Sequence, residues 1–68
     1  METTTLKIGG MTCAGCVRSV TRVLQDLPGV ARADVSLEEE QANITFDPHL
    51  IDLPRLRNAI EDAGYEAQ

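Results

Sequence analysis

The chain is poor in aromatic residues and in basic charge. Among its 68 residues only Phe46 and Tyr65 are aromatic, and 6 basic residues oppose 11 acidic ones, for a net charge of -5. Nucleic acids and anionic membrane surfaces both attract clustered basic charge, so we expect neither as a partner. No apolar run approaches the roughly 20 residues of a membrane span, and the first residues lack the basic and then apolar order of a secretion signal. We therefore expect a cytoplasmic protein with no membrane insertion.

Cysteine is also scarce, and the chain contains only Cys13 and Cys16, separated by two residues within Gly10-Met11-Thr12-Cys13-Ala14-Gly15-Cys16. In a reducing cytosol such a pair binds metal or does redox chemistry more often than it forms a structural bridge. A disulfide that closes so short a loop would also constrain little of the unfolded chain. The pair is therefore the candidate functional site of a single small domain that spans residues 1–68.

Hydrophobic periodicity predicts six elements along the chain. The predicted elements are a strand over Thr4–Ile8, a helix over Ala14–Leu27, a hairpin of Val30–Leu37 and Ala42–Phe46, a helix that begins after Asp52 and ends at Gly64, and a short strand over Tyr65–Ala67. Both helices carry apolar residues at spacings of three, four and three: Val17, Val20, Leu24 and Leu27 in the first, and Leu53, Leu56, Ile60 and Ala63 in the second. In the hairpin, Ala31, Ala33, Val35 and Leu37 are predicted to share one face. Thr12 and Asp52 are the predicted N-caps.

This order of elements is a strand-helix-strand unit repeated twice. Two helices that cover one face of a four-stranded antiparallel sheet bury both apolar stripes in a two-layer structure. The sequence therefore predicts an α+β fold, the ferredoxin-like βαββαβ sandwich.

The cysteine pair follows a predicted strand and opens a predicted helix, where the helix dipole favours the thiolate form. Two soft thiolates suit Cu(I), whereas a structural zinc site usually uses four nitrogen or sulfur ligands. The further candidate ligand is His49, which we interpret as an exposed loop histidine. A thioredoxin-like redox pair is the alternative, although no tryptophan flanks the cysteines and the order of elements differs from that fold.

The segment Gly10–Cys16 resembles the Gly-Met-x-Cys-x-x-Cys motif of heavy-metal-associated domains. The turn Leu27-Pro28-Gly29-Val30 and the run Ile60-Glu61-Asp62-Ala63-Gly64-Tyr65 are also similar to that family. The resemblance implies the same fold, Cu(I) held by Cys13 and Cys16, transfer of copper by thiolate exchange, and no enzymatic activity. It also implies that the partner is the metal-binding domain of a copper-transporting P-type ATPase.

The resemblance implies supporting roles for three more residues. Met11 is expected to point into the core and support the loop, and Tyr65 to pack near the metal, with or without shielding it. Thr12 stands where zinc- or cadmium-type members tend to carry a carboxylate near the motif, which favours Cu(I). Mercury-binding members share Met-Thr-Cys-Ala, but they are exported.

Two forms of such a domain remain open. The start at Met1 favours a free copper chaperone, whereas Gly15, in the place where many bacterial chaperones carry histidine, favours an excised N-terminal module of a copper-transporting ATPase. We expect a monomer without metal and leave open a dimer that shares copper. Arg18 and Arg22 are one helical turn apart, and form either a solvated helix face or a basic spot for an acidic partner.

Overall fold

The structure, a computed structural model, describes residues 1–67. Its elements are β1 (Glu2–Gly9), α1 (Ala14–Gln25), β2 (Val30–Ser36), β3 (Gln41–Phe46), α2 (Leu53–Asp62) and β4 (Glu66–Ala67). The four strands form one antiparallel sheet in the order β2-β3-β1-β4, and the two helices pack on it and on each other. The predicted ferredoxin-like fold is confirmed. Within the part of the chain that is described, no helix has both the length and the apolar character needed to cross a membrane.

The hydrophobic core lies between the helices and one face of the sheet. Its buried members are Leu6, Ile8, Met11, Val20, Leu24, Ala33, Ala42, Ile44, Phe46, Ile51, Leu56 and Ile60. On β1, Leu6 and Ile8 point into this core while Thr5 and Lys7 are exposed, which is the alternation of a sheet with one wet face. Full burial of each large aliphatic side chain contributes about 1.5–3 kcal/mol, so these residues supply most of the driving force for folding.

Both helices are shorter than the apolar spacing predicts. Helix α1 ends at Gln25, and Leu27 instead lies in a tight turn, where its N–H donates to the Leu24 carbonyl at 3.1 Å while its side chain packs against the core. Helix α2 ends at Asp62, so Ala63 is its C-cap residue and is exposed, outside the apolar stripe. Pro28-Gly29 reverses the chain after α1, and Gly64 reverses it after α2. The last apolar position of each pattern therefore falls beyond the helix.

Strand β2 departs from the predicted alternation at its start. Val30 pairs with Phe46 and Arg32 with Thr45, so Ala31 is an extra residue in a β-bulge. The bulge leaves Ala31 exposed and Val30 half-buried against the core, whereas the sequence placed Ala31 on the inner face. A bulge shifts the inward and outward positions by one residue, which period-two reasoning cannot detect.

The two ends of the sheet carry different loops. Lys7 pairs with Gln41 and Glu2 with Phe46, so the loop after β1 and the β2–β3 turn share one end. At the opposite end the Asp47 N–H donates to the Gly29 carbonyl at 2.7 Å. Gly29 has φ +95°, and a Cβ there would lie 2.8 Å from Leu50 Cβ, so only glycine fits this contact.

Candidate metal centre

The loop between β1 and α1 is fixed by one turn residue and one buried side chain. Gly10 has φ +92°, a conformation that glycine adopts readily, and a Cβ built on it would lie 3.8 Å from the ring of Tyr65. Met11 then points into the core and is 5% exposed. With Met11 anchored in this way, Thr12 and Cys13 lie on the surface immediately before the helix.

Helix α1 begins with a cysteine at its cap. Cys13 has extended backbone angles, and its carbonyl accepts from the N–H of Cys16 at 3.0 Å and of Val17 at 3.3 Å. Its side chain makes no capping hydrogen bond. The sequence-based assignment of Thr12 as N-cap is therefore wrong by one residue, because the helical hydrogen bonds start from the Cys13 carbonyl. Thr12 instead places its hydroxyl 4.0 Å from the Cys16 sulfur.

The two cysteines are free thiols whose sulfur atoms lie 3.4 Å apart. Cys13 is exposed, whereas Cys16 is half-buried in the first turn of α1 and packs against the core. This spacing allows both sulfurs to contact one ion while one side of the pair stays open to solvent. Such an arrangement suits a soft metal ion that is exchanged with another molecule.

The environment of Cys16 favours its thiolate. Its pKa is lowered from 9.0 to about 6, first by a hydrogen bond from the main chain of Thr12, then by hydrogen bonding with the Cys13 thiol and the Tyr65 hydroxyl. Partial burial opposes these effects without cancelling them. At neutral pH Cys16 is therefore mostly ionised and ready to bind a cation without first losing a proton.

The Tyr65 hydroxyl interacts with the same sulfur. Its pKa is raised, chiefly because its hydroxyl hydrogen-bonds to Cys16 and so favours the protonated phenol, while hydrogen bonding with Ser19 acts weakly in the opposite sense. Sequence reasoning did not identify Ser19 as a neighbour of Tyr65. Its position three residues after Cys16, on the same side of α1, is the signal that could have identified it.

His49 lies in a different local structure. It is exposed, its N–H donates to the Asp47 carboxylate at 2.9 Å, and its Nδ1 lies 3.2 Å from the same oxygen. Across residues 1–67, no three or more His, Cys, Asp or Glu side chains group together in a way that could hold a metal ion. The described residues therefore offer a two-sulfur site and no four-ligand zinc site of the usual kind.

The structure brings Thr12, Cys13, Cys16 and Tyr65 together at the start of α1. Arg18 and Arg22 follow on the same helix, and both are exposed. Val20, between them in sequence, is fully buried, so the arginines project away from the core.

Comparison with known proteins identifies the family. The heavy-metal-associated domain model matches residues 5–66. The copper-transporting ATPase RAN1 of Arabidopsis thaliana is 54% identical over 59 residues, which are 87% of this chain but only 6% of that ATPase. The copper chaperone CopZ of Staphylococcus saprophyticus is 40% identical over 68 residues and is matched across the whole of both chains. The crystal structure of a copper binding domain from HMA7, a P-type ATPase, superimposes with a TM-score of 0.99 at 40% identity, over 100% of this chain and 92% of that one. The chain therefore belongs to the heavy-metal-associated domain family, whose members include copper chaperones and the domains of copper-transporting ATPases.

Proposed function

We propose that this domain binds Cu(I) through Cys13 and Cys16 and passes it to the metal-binding domain of a copper-transporting ATPase. The observation that carries the proposal is the pair of free sulfurs 3.4 Å apart at an exposed helix start. The names of the relatives, a copper chaperone and copper-transporting ATPases, support copper as the cargo. The domain carries the ion and catalyses no reaction.

Transfer follows from the unequal surroundings of the two sulfurs. Two thiolates with Cu(I) carry a net charge of -1, which the helix N-terminus partly offsets. A thiolate of the partner adds to the exposed side of the copper, and the exposed Cys13 is then the first sulfur to be replaced. Cys16 is half-buried in the first turn of α1 and packs against the core, so it is shielded from the incoming thiolate and leaves last.

The choice of Cu(I) over Zn(II) rests on ligand number and softness. Copper(I) is stable with two thiolates, whereas zinc prefers four ligands and would have to recruit water or a second protein. We expect X-ray absorption on the copper form to detect sulfur neighbours only, two from one chain or three to four when two chains share copper. Tighter binding of zinc than of copper would contradict this assignment.

Competition for copper tests the ligands directly. Native mass spectrometry with Cu(I) and a strong Cu(I) chelator should show one copper per monomer for the natural sequence, and none for Cys13→Ser or Cys16→Ser. Circular dichroism should show that both variants stay folded, because neither cysteine is in the buried core. The matched control is His49→Ala, which should keep full copper affinity. Retention of copper by either serine variant would overturn the two-thiolate site.

A cytoplasmic chaperone is the form we favour, and a module of a larger ATPase is the second candidate. The match to CopZ over both whole chains supports the first, and the 54% identity to a segment of RAN1 supports the second. The mass of the natural gene product in cells separates them, since a transporting ATPase carries many membrane spans beyond this domain.

Docking of the partner involves the basic spot formed by Arg18 and Arg22. Both arginines are exposed on the helix that starts at the thiols, so they lie at the rim of any contact that reaches the copper. Rim charges chiefly change association rate and its dependence on salt. Arg18→Glu with Arg22→Glu should therefore slow copper transfer to an acidic partner and leave copper affinity unchanged.

A second charge reversal controls for net charge in that experiment. Arg32→Glu with Arg55→Glu changes the net charge by the same amount, but Arg32 is paired with Asp34 on β2 and Arg55 is on α2. In stopped-flow experiments at low salt, copper transfer should be slower for the Arg18/Arg22 double variant than for the Arg32/Arg55 double variant, by about fivefold or less. This difference in rate should shrink as salt is added. Equal rates for the two double variants would show that Arg18 and Arg22 form only a solvated helix face.

A further inference from the structure

The outer edge of β1 is only partly covered. Strand β1 pairs with β3 over Glu2–Lys7, but on its other side, within residues 1–67, β4 pairs only with Ile8 and Gly9. Among the described residues, the first half of β1 is therefore an edge strand, even though β1 lies between two other strands in the sheet order.

The backbone groups on that edge can be identified from one hydrogen bond. The Ile8 N–H donates to the Glu40 carbonyl at 2.8 Å, on the β3 side. In an antiparallel pair successive residues direct their N–H and C=O to opposite sides, so Thr3 and Thr5 direct theirs outward. No backbone hydrogen bond within residues 1–67 uses these outward groups. A row of this kind is a template for another extended chain.

A cavity of about 270 Å³ lies beside this edge, under the start of α2. It is lined by Glu2, Thr3, Thr4, Phe46, Pro48, Ile51, Asp52 and Leu53. Four of these residues are apolar, and the charged ones, Glu2 and Asp52, are both acidic. Because an engineered cavity of about 150 Å³ already binds benzene, the space is sufficient for an apolar side chain. The acidic rim favours a cation next to it.

We propose that the outer edge of β1 binds an extended peptide segment of a partner protein, antiparallel to β1 and in line with β4. The residue opposite Thr4 points to the same face of the sheet as Thr4, which lines the cavity, so an apolar side chain is preferred there. Two residues further along the peptide the side chain lies opposite Glu2, so lysine or arginine is preferred at that position. Main-chain hydrogen bonds to Thr3 and Thr5 supply affinity, and the cavity supplies selectivity.

This surface is separate from the thiols. Strand β1 rises about 3.4 Å per residue, which puts Thr3 about 20 Å from Gly9, where the cysteine loop begins. Peptide binding and copper transfer are therefore compatible, and the peptide site does not depend on the proposed metal function.

A synthetic peptide tests the site in the intact, metal-free chain. The probe is fluorescein-labelled Ser-Thr-Val-Ser-Leu-Thr-Lys-Ser, in which lysine follows leucine by two positions. Without peptide, the amides of Thr3 and Thr5 should exchange with deuterium much faster than those of Thr4 and Leu6. Saturating binding should slow the exchange of Thr3 and Thr5 and shift their NMR signals. Failure to bind in fluorescence anisotropy, or shifts confined to the cysteine loop, would overturn the proposal.

Charge exchange tests the selectivity. Glu2→Lys should weaken binding of the lysine peptide by about three- to tenfold and should strengthen binding of the same peptide with glutamate in place of lysine. The matched control, Glu38→Lys, makes the same charge change in the β2–β3 turn at the other end of β1 and should have little effect. Equal effects of the two substitutions would contradict docking at the cavity.

Two further variants test the main-chain contacts. Thr5→Pro removes an outward N–H that β3 does not use and should lower affinity about tenfold. A peptide that is N-methylated at alternate residues should bind the unaltered protein equally weakly, and this arm does not depend on whether the proline variant folds. Concentration-dependent protection of Thr5 together with dimers in ultracentrifugation would assign the edge to a second copy of the chain and overturn the peptide assignment.

Discussion

The two strand-helix-strand halves of this domain are alike in their cores and different at their helix starts. Each helix buries two apolar residues four positions apart, Val20 and Leu24 in α1 and Leu56 and Ile60 in α2. Helix α2, however, begins with Asp52, whose carboxylate accepts from the Arg55 N–H at 3.0 Å, followed by Pro54 in the first turn. Helix α1 has no side-chain cap at all.

The difference shows that the first half lacks a side-chain cap at the helix start that carries its thiols. The first N–H groups of any helix lack partners within the helix, and an N-cap oxygen normally satisfies one of them. At α1 the cap position carries the Cys13 sulfur instead, and the positive helix start faces the thiols. The uncapped start destabilises α1 locally and at the same time stabilises negative charge on sulfur. At α2 the Asp52 carboxylate instead satisfies one of these N–H groups.

The largest difference between the two helix starts should be the ionisation of the thiol at α1. Because the folded pKa of Cys16 is about 6 and its ordinary value is 9.0, its thiolate form favours the folded state. This contribution to stability is complete above pH 9 and is lost as the pH falls towards 6. Iodoacetamide labelling read by mass spectrometry should give Cys16 a titration midpoint about three units below that of the urea-unfolded chain. A midpoint near 9 in the folded protein would show that hydrogen bonding around Cys16, from the main chain of Thr12 first, does not favour the thiolate.

The next largest effect should be the loss of stability when core side chains are removed. This prediction tests whether the two halves contribute equally to the core. Leu24→Ala and Ile60→Ala each remove a fully buried branched side chain, one from each helix. Each should lower the free energy of unfolding by about 2–5 kcal/mol, and the two values should be similar. Urea denaturation of the metal-free protein measures both. A much smaller loss for Leu24→Ala would mean that α1 contributes less to the core than α2.

A smaller loss is expected from the α2 cap. Asp52→Ala removes the oxygen that accepts from the Arg55 N–H and should destabilise the fold by about 1 kcal/mol. Asp52→Asn keeps an oxygen acceptor and is the matched control, with a loss of only a few tenths of a kcal/mol. If both substitutions destabilise equally, the carboxylate charge rather than the hydrogen bond is responsible.

The smallest predicted effect is a gain in stability rather than a loss. Cys13 already has the extended backbone angles of an N-cap, so Cys13→Ser places a good capping oxygen there and should stabilise the metal-free fold by about 0.5 kcal/mol. Cys16→Ser, inside the helix, should give no such gain. Thermal unfolding of the two variants compares them, and destabilisation by Cys13→Ser would contradict the view that α1 lacks its cap.

Local patterns in the sequence were sufficient for much of the molecule. The spacing of three and four predicts both helices, Asp52 before Pro54 predicts the α2 cap, and the order of elements predicts the sheet. The motif around Cys13 and Cys16 marks the candidate site by residue type and spacing, although the role of these cysteines as copper ligands stays a prediction.

Other features depend on contacts between segments that are distant in the chain. Thr12 looked like the N-cap, yet burial of Met11 sets the loop so that the helix starts one residue later. The alternation of the sequence predicts Ala31 on the inner face of the sheet, yet the pairing of β2 with β3 has a bulge at this residue.

By itself the sequence determined the helix faces, the turns and the thiol pair, because these depend on residues within a few positions of one another. Only the tertiary structure decided that Tyr65, some fifty residues away, helps to lower the pKa of the Cys16 thiol, and that within residues 1–67 β4 pairs only with Ile8 and Gly9 of β1. Both depend on the register of β1 with β4, which is set by how the second half packs onto the first, and no local pattern encodes that register.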